Sequence, residues 1–156
     1  MNTAVVESPQ TYEQERGKPM PSENHGIVQM NLGIELAKNK DYRVISELSL
    51  ELDGRPFTPD LCVYPRQPVD FRFDTIRRTD PPIVAVEIPS PTQGYQEVME
   101  KVKAYFQSGV KTCWVVSPPH RAITIHAADG SFKTFAEGQA KDPCTGLVAD
   151  LDAVFS

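Results

Sequence analysis

The chain has 156 residues, of which 40% are hydrophobic and 24% are charged, and its net charge is −5. This length fits one domain with a sizeable core and excludes an enzyme that carries a separate cofactor domain. The composition excludes wholesale disorder, and the acidic balance excludes unspecific nucleic-acid binding through Lys and Arg, so that any such contact must be local or bridged by a metal.

The first predicted helix follows a polar segment. Residues 1–21 are polar and contain prolines, so they predict a loose lead-in to a single domain over residues 22–156. Ser22 can cap a helix, and Asn39 and Asp41 mark its end. The predicted buried stripe of this helix consists of apolar residues at helical spacing: Ile27, Met30, Ile34 and Ala37.

Two strands are predicted next, joined by a tight turn. From Val44 to Asp53, leucines alternate with polar residues, which is typical of a half-buried strand. Asp53-Gly54 favours a hairpin turn, and residues 57–64 predict the following strand. Residues 65–82 then predict a surface excursion that carries four arginines: Arg66, Arg72, Arg77 and Arg78.

The segment Ile83–Ile88 is nearly all apolar and predicts a strand that is buried on both faces of a sheet. Ser90 and Pro91 predict the start of a helix, as its N-cap and its first helical residue. Gly109 predicts the end of that helix.

The remaining segments complete the fold prediction. Residues 112–117 and 122–126 predict two further strands, and residues 146–155 predict a short closing element. The order of these helices and strands favours an α/β (or α+β) fold, in which helices flank a single twisted mixed sheet.

The three cysteines, Cys62, Cys113 and Cys144, include no C-x-x-C pair, which argues against a disulfide framework and a thiolate zinc site. Free thiols fit a reducing compartment. The sequence contains no apolar run long enough to span a membrane, and residues 1–10 lack the pattern of a secretory signal. We therefore expect a cytoplasmic protein with no membrane contact.

Two acidic residues stand next to apolar strand segments. Glu87 interrupts the apolar run of residues 83–88, where an unpaired charge is costly to bury. Asp60 directly precedes the apolar residues Leu61–Val63. Taken singly, Glu87 also fits a strand end that reaches solvent, and Asp60 also fits a turn or cap. Taken together, they predict a pair of metal-binding carboxylates.

Lys101 is the third candidate residue. On a helical wheel the apolar stripe of its helix contains Val98, Val102 and Tyr105. Lys101 lies at the edge of that stripe, whereas Lys103 lies well away from it. Lys101 can therefore lean toward the sheet, although an ion pair with a glutamate one turn earlier would also explain its place.

These three side chains predict a site for a hard divalent cation. Mg²⁺ takes oxygen ligands, and the carboxylates of Asp60 and Glu87 and the backbone carbonyl of Ile88 are donors of this kind. Such a cation holds a phosphate oxygen and lowers the pKa of a bound water. A lysine beside it can orient that water or stabilise charge on the phosphorus. The predicted chemistry is phosphodiester hydrolysis.

The pattern Pro59-Asp60 followed by Glu87 resembles that of the PD-(D/E)XK nuclease superfamily. A longer match is more specific, because residues 12 to 155 resemble the Uma-two family of restriction endonucleases. The residues that carry this resemblance are Val84–Thr92, Lys101 with Tyr105, Gly109-Val110, Trp114–Val116 and, toward the ends, Tyr12-Glu13, Gly17, His25 and Gly146–Phe155.

The resemblance implies a restriction-endonuclease-like fold and a DNA endonuclease that depends on Mg²⁺ or Mn²⁺. It implies that Asp60 and Glu87 hold the metal. It also implies that Lys101 replaces the motif lysine, because the motif position holds Pro89 here.

An acidic residue near the N-terminus often completes such sites. Glu13 matches that position best, and Glu47 is a second candidate on the polar face of its predicted strand. His25 opens a helix and is a further candidate, although a lone histidine also fits a hydrogen bond at the surface. Cutting both strands of a duplex asks for two sites, so we also expect a homodimer.

Two other functions remain open at this point. A fold of this kind can persist as a binding or assembly module that has lost activity, which the net acidity favours. A metal-dependent phosphohydrolase that acts on RNA or small nucleotides is the other. The arginines of residues 65–82 fit either a solvated loop or a loop that contacts phosphates.

Overall fold

The structure, a computed structural model, describes residues 18–156. Within this range the helices are α1 (Glu23–Ala37), α2 (Tyr95–Gln107) and α3 (Leu151–Val154), with a 3₁₀ turn at Pro118–His120. The strands are β1 (Tyr42–Ser46), β2 (Leu50–Leu52), β3 (Arg55–Phe57), β4 (Leu61–Pro65), β5 (Val84–Glu87), β6 (Thr112–Ser117), β7 (Ala122–Ala127), β8 (Phe132–Phe135), β9 (Gln139–Lys141) and β10 (Val148–Asp150). None of these helices is long and apolar enough to cross a bilayer.

A six-stranded sheet forms the centre of the described chain, in the order β1-β4-β5-β6-β7-β8. Strands β5 and β6 run parallel, whereas the other neighbouring pairs are antiparallel. The parallel pair is connected by α2, as a crossover between parallel strands requires. Two small hairpins, β2–β3 and β9–β10, lie outside this sheet. The predicted α/β class, with helices flanking a mixed sheet, is confirmed.

One face of the sheet packs against α1 and the C-terminal segment. Val84 and Val86 of β5 lie in this layer together with Leu32 and Leu36 of α1. All four side chains are fully buried.

The opposite face of the sheet packs against α2 and the β2–β3 hairpin. Ala85 of β5 lies in this layer with Leu50 and Tyr105. Because side chains alternate along a strand, Glu87 faces the same side as Ala85 and therefore faces α2.

The predicted buried stripe of α1 is wrong. Ile27, Met30 and Ile34 are 43%, 66% and 55% exposed. The buried side of the helix instead carries His25, Val28, Leu32, Glu35 and Leu36. Apolar residues recur on two sides of this helix, so spacing alone did not select the buried one. Polar contacts help to fix it, since Glu35 accepts a hydrogen bond from the Asp150 amide at 3.1 Å.

The two strands predicted on either side of Asp53-Gly54 each break in two. Glu47 has a φ of 50°, a left-handed conformation that ends β1 at Ser46. The alternating leucines that follow belong to β2, which pairs with β3 through a turn with positive φ at Asp53 and Gly54. The predicted hairpin turn is therefore present, but it joins short strands outside the main sheet.

The helix predicted to start at Pro91 starts at Tyr95. Ser90 and Gln93 make one of the two contacts of a capping box, because the Ser90 amide donates to Gln93 Oε1 at 2.9 Å. The Ser90 hydroxyl, however, contacts Thr92 Oγ1 at 2.8 Å, and the segment closes a tight turn. Gly94 is extended and serves as the N-cap.

Candidate metal-binding active site

The pairing of β4 with β5 brings Asp60 next to the end of β5. Leu61 is opposite Val86, so the residue before β4 lies beside the last residues of β5. The Asp60 amide donates to the Val86 carbonyl at 3.0 Å, and the Ile88 amide donates to Asp60 Oδ2 at 2.7 Å. The carboxylate of Asp60 is therefore fixed against the strand that carries Glu87.

Asp60 is fully buried, and its carboxylate is surrounded by hydrogen-bonding and charged partners. His25 Nε2 lies 3.0 Å from Oδ1, and one turn further along α1 the Gln29 side chain donates to the Asp60 carbonyl at 3.1 Å. Burial acts to raise the pKa of Asp60, but the hydrogen bond from His25 and the charge of Lys18 outweigh it and lower that pKa to about 2. Asp60 is thus an anion across the physiological range.

Glu87 is 4% exposed and contacts two residues of α2. The Tyr105 hydroxyl donates to Glu87 Oε1 at 2.7 Å. Lys101 Nζ lies 3.7 Å from Glu87 Oε2, whereas Lys103 is exposed to solvent. Burial, followed by the charge of Glu87, raises the pKa of Tyr105 well above its ordinary value, so the phenol stays protonated and donates. Lys101 therefore leans toward the sheet and Lys103 does not, as the helical wheel predicts.

A residue that the sequence did not single out lies between the two carboxylates. Lys18 Nζ is 2.8 Å from Asp60 Oδ1 and 3.4 Å from Glu87 Oε2, and its side chain is only 3% exposed. Lys18 lies before α1, in a segment with no apolar periodicity, so no sequence pattern could place it beside the carboxylates. Its ammonium holds the two acidic groups together.

His25 reaches the site because of how α1 begins. The Ser22 side chain caps the helix by accepting a hydrogen bond from the His25 amide, at 3.2 Å. This fixes His25 in the first turn, with Nε2 toward Asp60, and within residues 18–156 its Nδ1 atom is buried without a hydrogen-bond partner. In the sequence, His25 was indicated as a site residue by its place at a helix start and by the family resemblance.

The remaining predicted site residues are Glu13, Glu47 and Ile88. Glu13 lies outside the described residues. Glu47 is exposed, but its amide donates to the Asp60 carbonyl at 3.1 Å, so its backbone adjoins the site. The Ile88 amide holds Asp60, while a role of its carbonyl as a metal ligand stays a prediction. The catalytic and metal-binding roles of Asp60, Glu87 and Lys101 likewise stay predictions.

The donor set fits a hard divalent cation. Asp60 and Glu87 supply carboxylate oxygens, and the structure already holds one cation, the Lys18 ammonium, between Oδ1 of the first and Oε2 of the second. Within residues 18–156, no group of three or more His, Cys, Asp or Glu side chains has the geometry to hold a metal. A metal bound by these two carboxylates would therefore take its remaining ligands from water, substrate or elsewhere in the chain.

The arginine-bearing excursion leaves from the far end of the strands. Asp60 precedes β4 and the excursion follows it, so one strand length, about 16 Å, separates them. Two of its arginines are paired, Arg72 with Asp70 and Arg78 with Asp80. A contact between this loop and a phosphate at Asp60 and Glu87 is therefore not favoured.

Comparisons with known proteins give a family and a fold. The family model described as "Uma2: Putative restriction endonuclease" matches residues 13–150. Among solved structures, the chain is similar to the crystal structure of a "putative nuclease belonging to DUF820" from Anabaena variabilis. The TM-score is 0.72 at 21% sequence identity, and the alignment covers 88% of this chain and 83% of that chain. At this identity the likeness establishes a shared fold. A comparison with curated proteins finds no significant match.

Proposed function

The chain belongs to the Uma2 family, as its motifs predict, and on that premise we propose that it is a divalent-metal-dependent endonuclease that hydrolyses DNA phosphodiester bonds. The family description names restriction endonucleases, and the structural neighbour is described as a nuclease.

In this proposal Asp60 and Glu87 hold Mg²⁺ or Mn²⁺. The metal would supply a Lewis acid for a phosphate oxygen and a water of lowered pKa. The Ile88 amide keeps Asp60 in place, and the Tyr105 hydroxyl keeps Glu87 in place, so each carboxylate has one oxygen fixed by the protein. Lys101 approaches Glu87 from α2, where its ammonium can orient the attacking water or stabilise charge on the phosphorus.

One observation carries this proposal. Two carboxylates that are distant in sequence converge in a buried site on one shared cation, the ammonium of Lys18. Two buried carboxylates without a cation between them would repel each other, so the arrangement is costly unless a positive charge is present.

We also propose DNA as the partner, a homodimer as the working form and the cytoplasm as the location. Duplex cleavage needs two sites, and a two-fold dimer provides them. The excursion between β4 and β5 exposes Phe71, Phe73 and Ile76 by 91%, 77% and 82%, and exposed apolar groups of this size are typical of an interaction surface.

The test is a cleavage assay on plasmid and linear DNA with Mg²⁺ or Mn²⁺. We expect cleavage by the wild-type chain that chelation stops, and its loss in Asp60→Asn and in Glu87→Gln. Lys103→Met serves as a matched control, because Lys103 is an exposed residue of the same helix as Lys101. Cleavage that persists in both carboxylate variants would contradict the assignment.

A second candidate function is a binding or assembly module without catalysis. The observation that favours it is again Lys18, because an ammonium between Asp60 and Glu87 neutralises both without a metal. Wild-type protein that binds DNA but neither binds Mn²⁺ nor cuts DNA would favour this candidate.

A further inference from the structure

Lys18 contacts one oxygen of each carboxylate of the site; His25 Nε2 also lies 3.0 Å from the same oxygen of Asp60, and Lys101 Nζ lies 3.7 Å from the same oxygen of Glu87. Asp60 Oδ2 accepts from the Ile88 amide at 2.7 Å, and Glu87 Oε1 accepts from the Tyr105 hydroxyl at 2.7 Å. The remaining oxygens, Oδ1 and Oε2, lie 2.8 Å and 3.4 Å from Lys18 Nζ. A cation that takes the place of the Lys18 ammonium between the carboxylates would contact these same two oxygens.

Lys18 and Lys101 differ in how the backbone that carries them is held. Lys18 precedes α1, belongs to no helix or strand of the described chain, and its ammonium reaches the site at the end of a flexible four-carbon stem. Lys101 is different, because it extends from the middle of α2, contacts only Glu87 of this pair, at 3.7 Å, and is 20% exposed.

We propose that the Lys18 ammonium is a built-in competitor of the metal: it neutralises Asp60 and Glu87 in the metal-free protein and must withdraw for a divalent cation to bind. This inference rests on the proposed metal site and adds its regulation. It also explains why two buried carboxylates can lie this close without a metal, since the ammonium compensates their mutual repulsion.

The test is a calorimetric titration of Mn²⁺ into wild type, Lys18→Met and Lys101→Met. Met preserves the length of the lysine stem, and Lys101→Met removes the same charge from the same site without vacating the space between the two carboxylates. We expect Lys18→Met to bind Mn²⁺ roughly tenfold more tightly or better, and Lys101→Met to gain much less. Thermal unfolding is measured beside it. In chelator, Lys18→Met should unfold at a lower temperature than wild type, and added Mn²⁺ should restore its melting temperature.

The outcomes separate the two proposals. Equal or weaker Mn²⁺ binding by Lys18→Met, or equal gains in both variants, would overturn the competition and leave the metal site standing. Absence of Mn²⁺ binding in all three proteins would overturn the proposed metal site itself, and the competition with it. Binding by Lys18→Met alone would support the competition in its strongest form. Lys18→Gln replaces Lys18→Met if the latter does not fold.

Discussion

At the scale of single residues, Lys101 and Lys103 differ only in the side of α2 that they occupy. Lys101 Nζ lies 3.7 Å from Glu87, whereas Lys103 is exposed. We expect Lys101→Met to lower the rate of DNA cleavage roughly a hundredfold, as the loss of one charge-stabilising group does. Lys103→Met should leave the rate unchanged. Steady-state cleavage kinetics check this, and equal rates for the two variants would mean that Lys101 has no part in catalysis.

Tyr105 tests how Glu87 is positioned. Its buried hydroxyl donates to Glu87 Oε1, and Tyr105→Phe removes that donor without changing the ring. Because a buried carboxylate loses a hydrogen bond, we expect a loss of about 1–3 kcal/mol in the free energy of unfolding, measured by urea denaturation in chelator. Mn²⁺ affinity should also fall. An unchanged affinity together with unchanged stability would show that the contact does not hold Glu87.

Sequence patterns could predict site residues that lie in or directly beside a strand or helix, but they could not predict Lys18. Glu87 stood out because it interrupts an apolar strand, and Lys101 because a helix has a fixed period. Lys18 precedes the first helix and reaches the site through tertiary structure alone. The position of His25 in the site depends on the helix cap at Ser22, which fixes the orientation of the first turn of α1.

At the scale of elements, two glycines offer a test of the local backbone. Gly54 has a φ of 74° in the β2–β3 turn, whereas Gly26 lies in α1, and an added Cβ meets no atom within 4 Å at either position. We expect Gly54→Ala to lower the free energy of unfolding by about 1 kcal/mol, because alanine is strained there, and Gly26→Ala to raise it by a similar amount. Urea denaturation measures both, and a change of the same sign in the two variants would contradict the geometry.

Asp142 connects the segment before β10 to the central sheet by hydrogen bonds. Its Oδ2 accepts from Thr112 Oγ1 at 2.6 Å and from Trp114 Nε1 at 2.8 Å, and its Oδ1 accepts from two backbone amides of its own turn. We expect Asp142→Asn to lower the free energy of unfolding by about 3 kcal/mol, because the asparagine side chain has one accepting oxygen where aspartate has two. Asp129→Asn, in an exposed turn, should change it by less than about 0.5 kcal/mol. Comparable losses in the two variants would contradict this role.

The sequence predicted which elements exist better than where they end. Alternation and apolar runs located β5 and β6, but the break at Glu47 depends on a left-handed residue that no local pattern demands. The later start of α2 has a similar cause, because Ser90, Thr92 and Gln93 satisfy one another in a turn before Gly94. The buried face of α1 was decided by tertiary partners, since both of its apolar sides have helical spacing.

At the scale of the whole molecule, the proposed homodimer is testable through the exposed loop. We expect wild type to have twice the chain mass of 17.4 kDa by light scattering, and Phe71→Ser with Phe73→Ser to shift it toward the monomer. Phe132→Ser is the control, because Phe132 is 69% exposed but lies on β8. A monomeric wild type, or an unchanged dimer in the Phe71 and Phe73 variant, would contradict this placement of the interface.

The family and the fold class were both predictable, because their signals extend along most of the chain. The motifs from Val84 to Trp114 match the family, and the sequence of helices and strands matches the sheet. The division into a lead-in over residues 1–21 and a domain over residues 22–156 stays a prediction. Lys18 falls within that proposed lead-in, so a residue counted outside the domain contacts the buried carboxylates of Asp60 and Glu87.

The most direct test of a metal centre at Asp60 and Glu87 is anomalous diffraction from crystals soaked in Mn²⁺. We expect a strong anomalous peak within roughly 2–2.5 Å of an oxygen of each carboxylate, with the Lys18 ammonium displaced from between them. A saturating soak that gives no peak there, with Lys18 still joining Asp60 to Glu87, would contradict it.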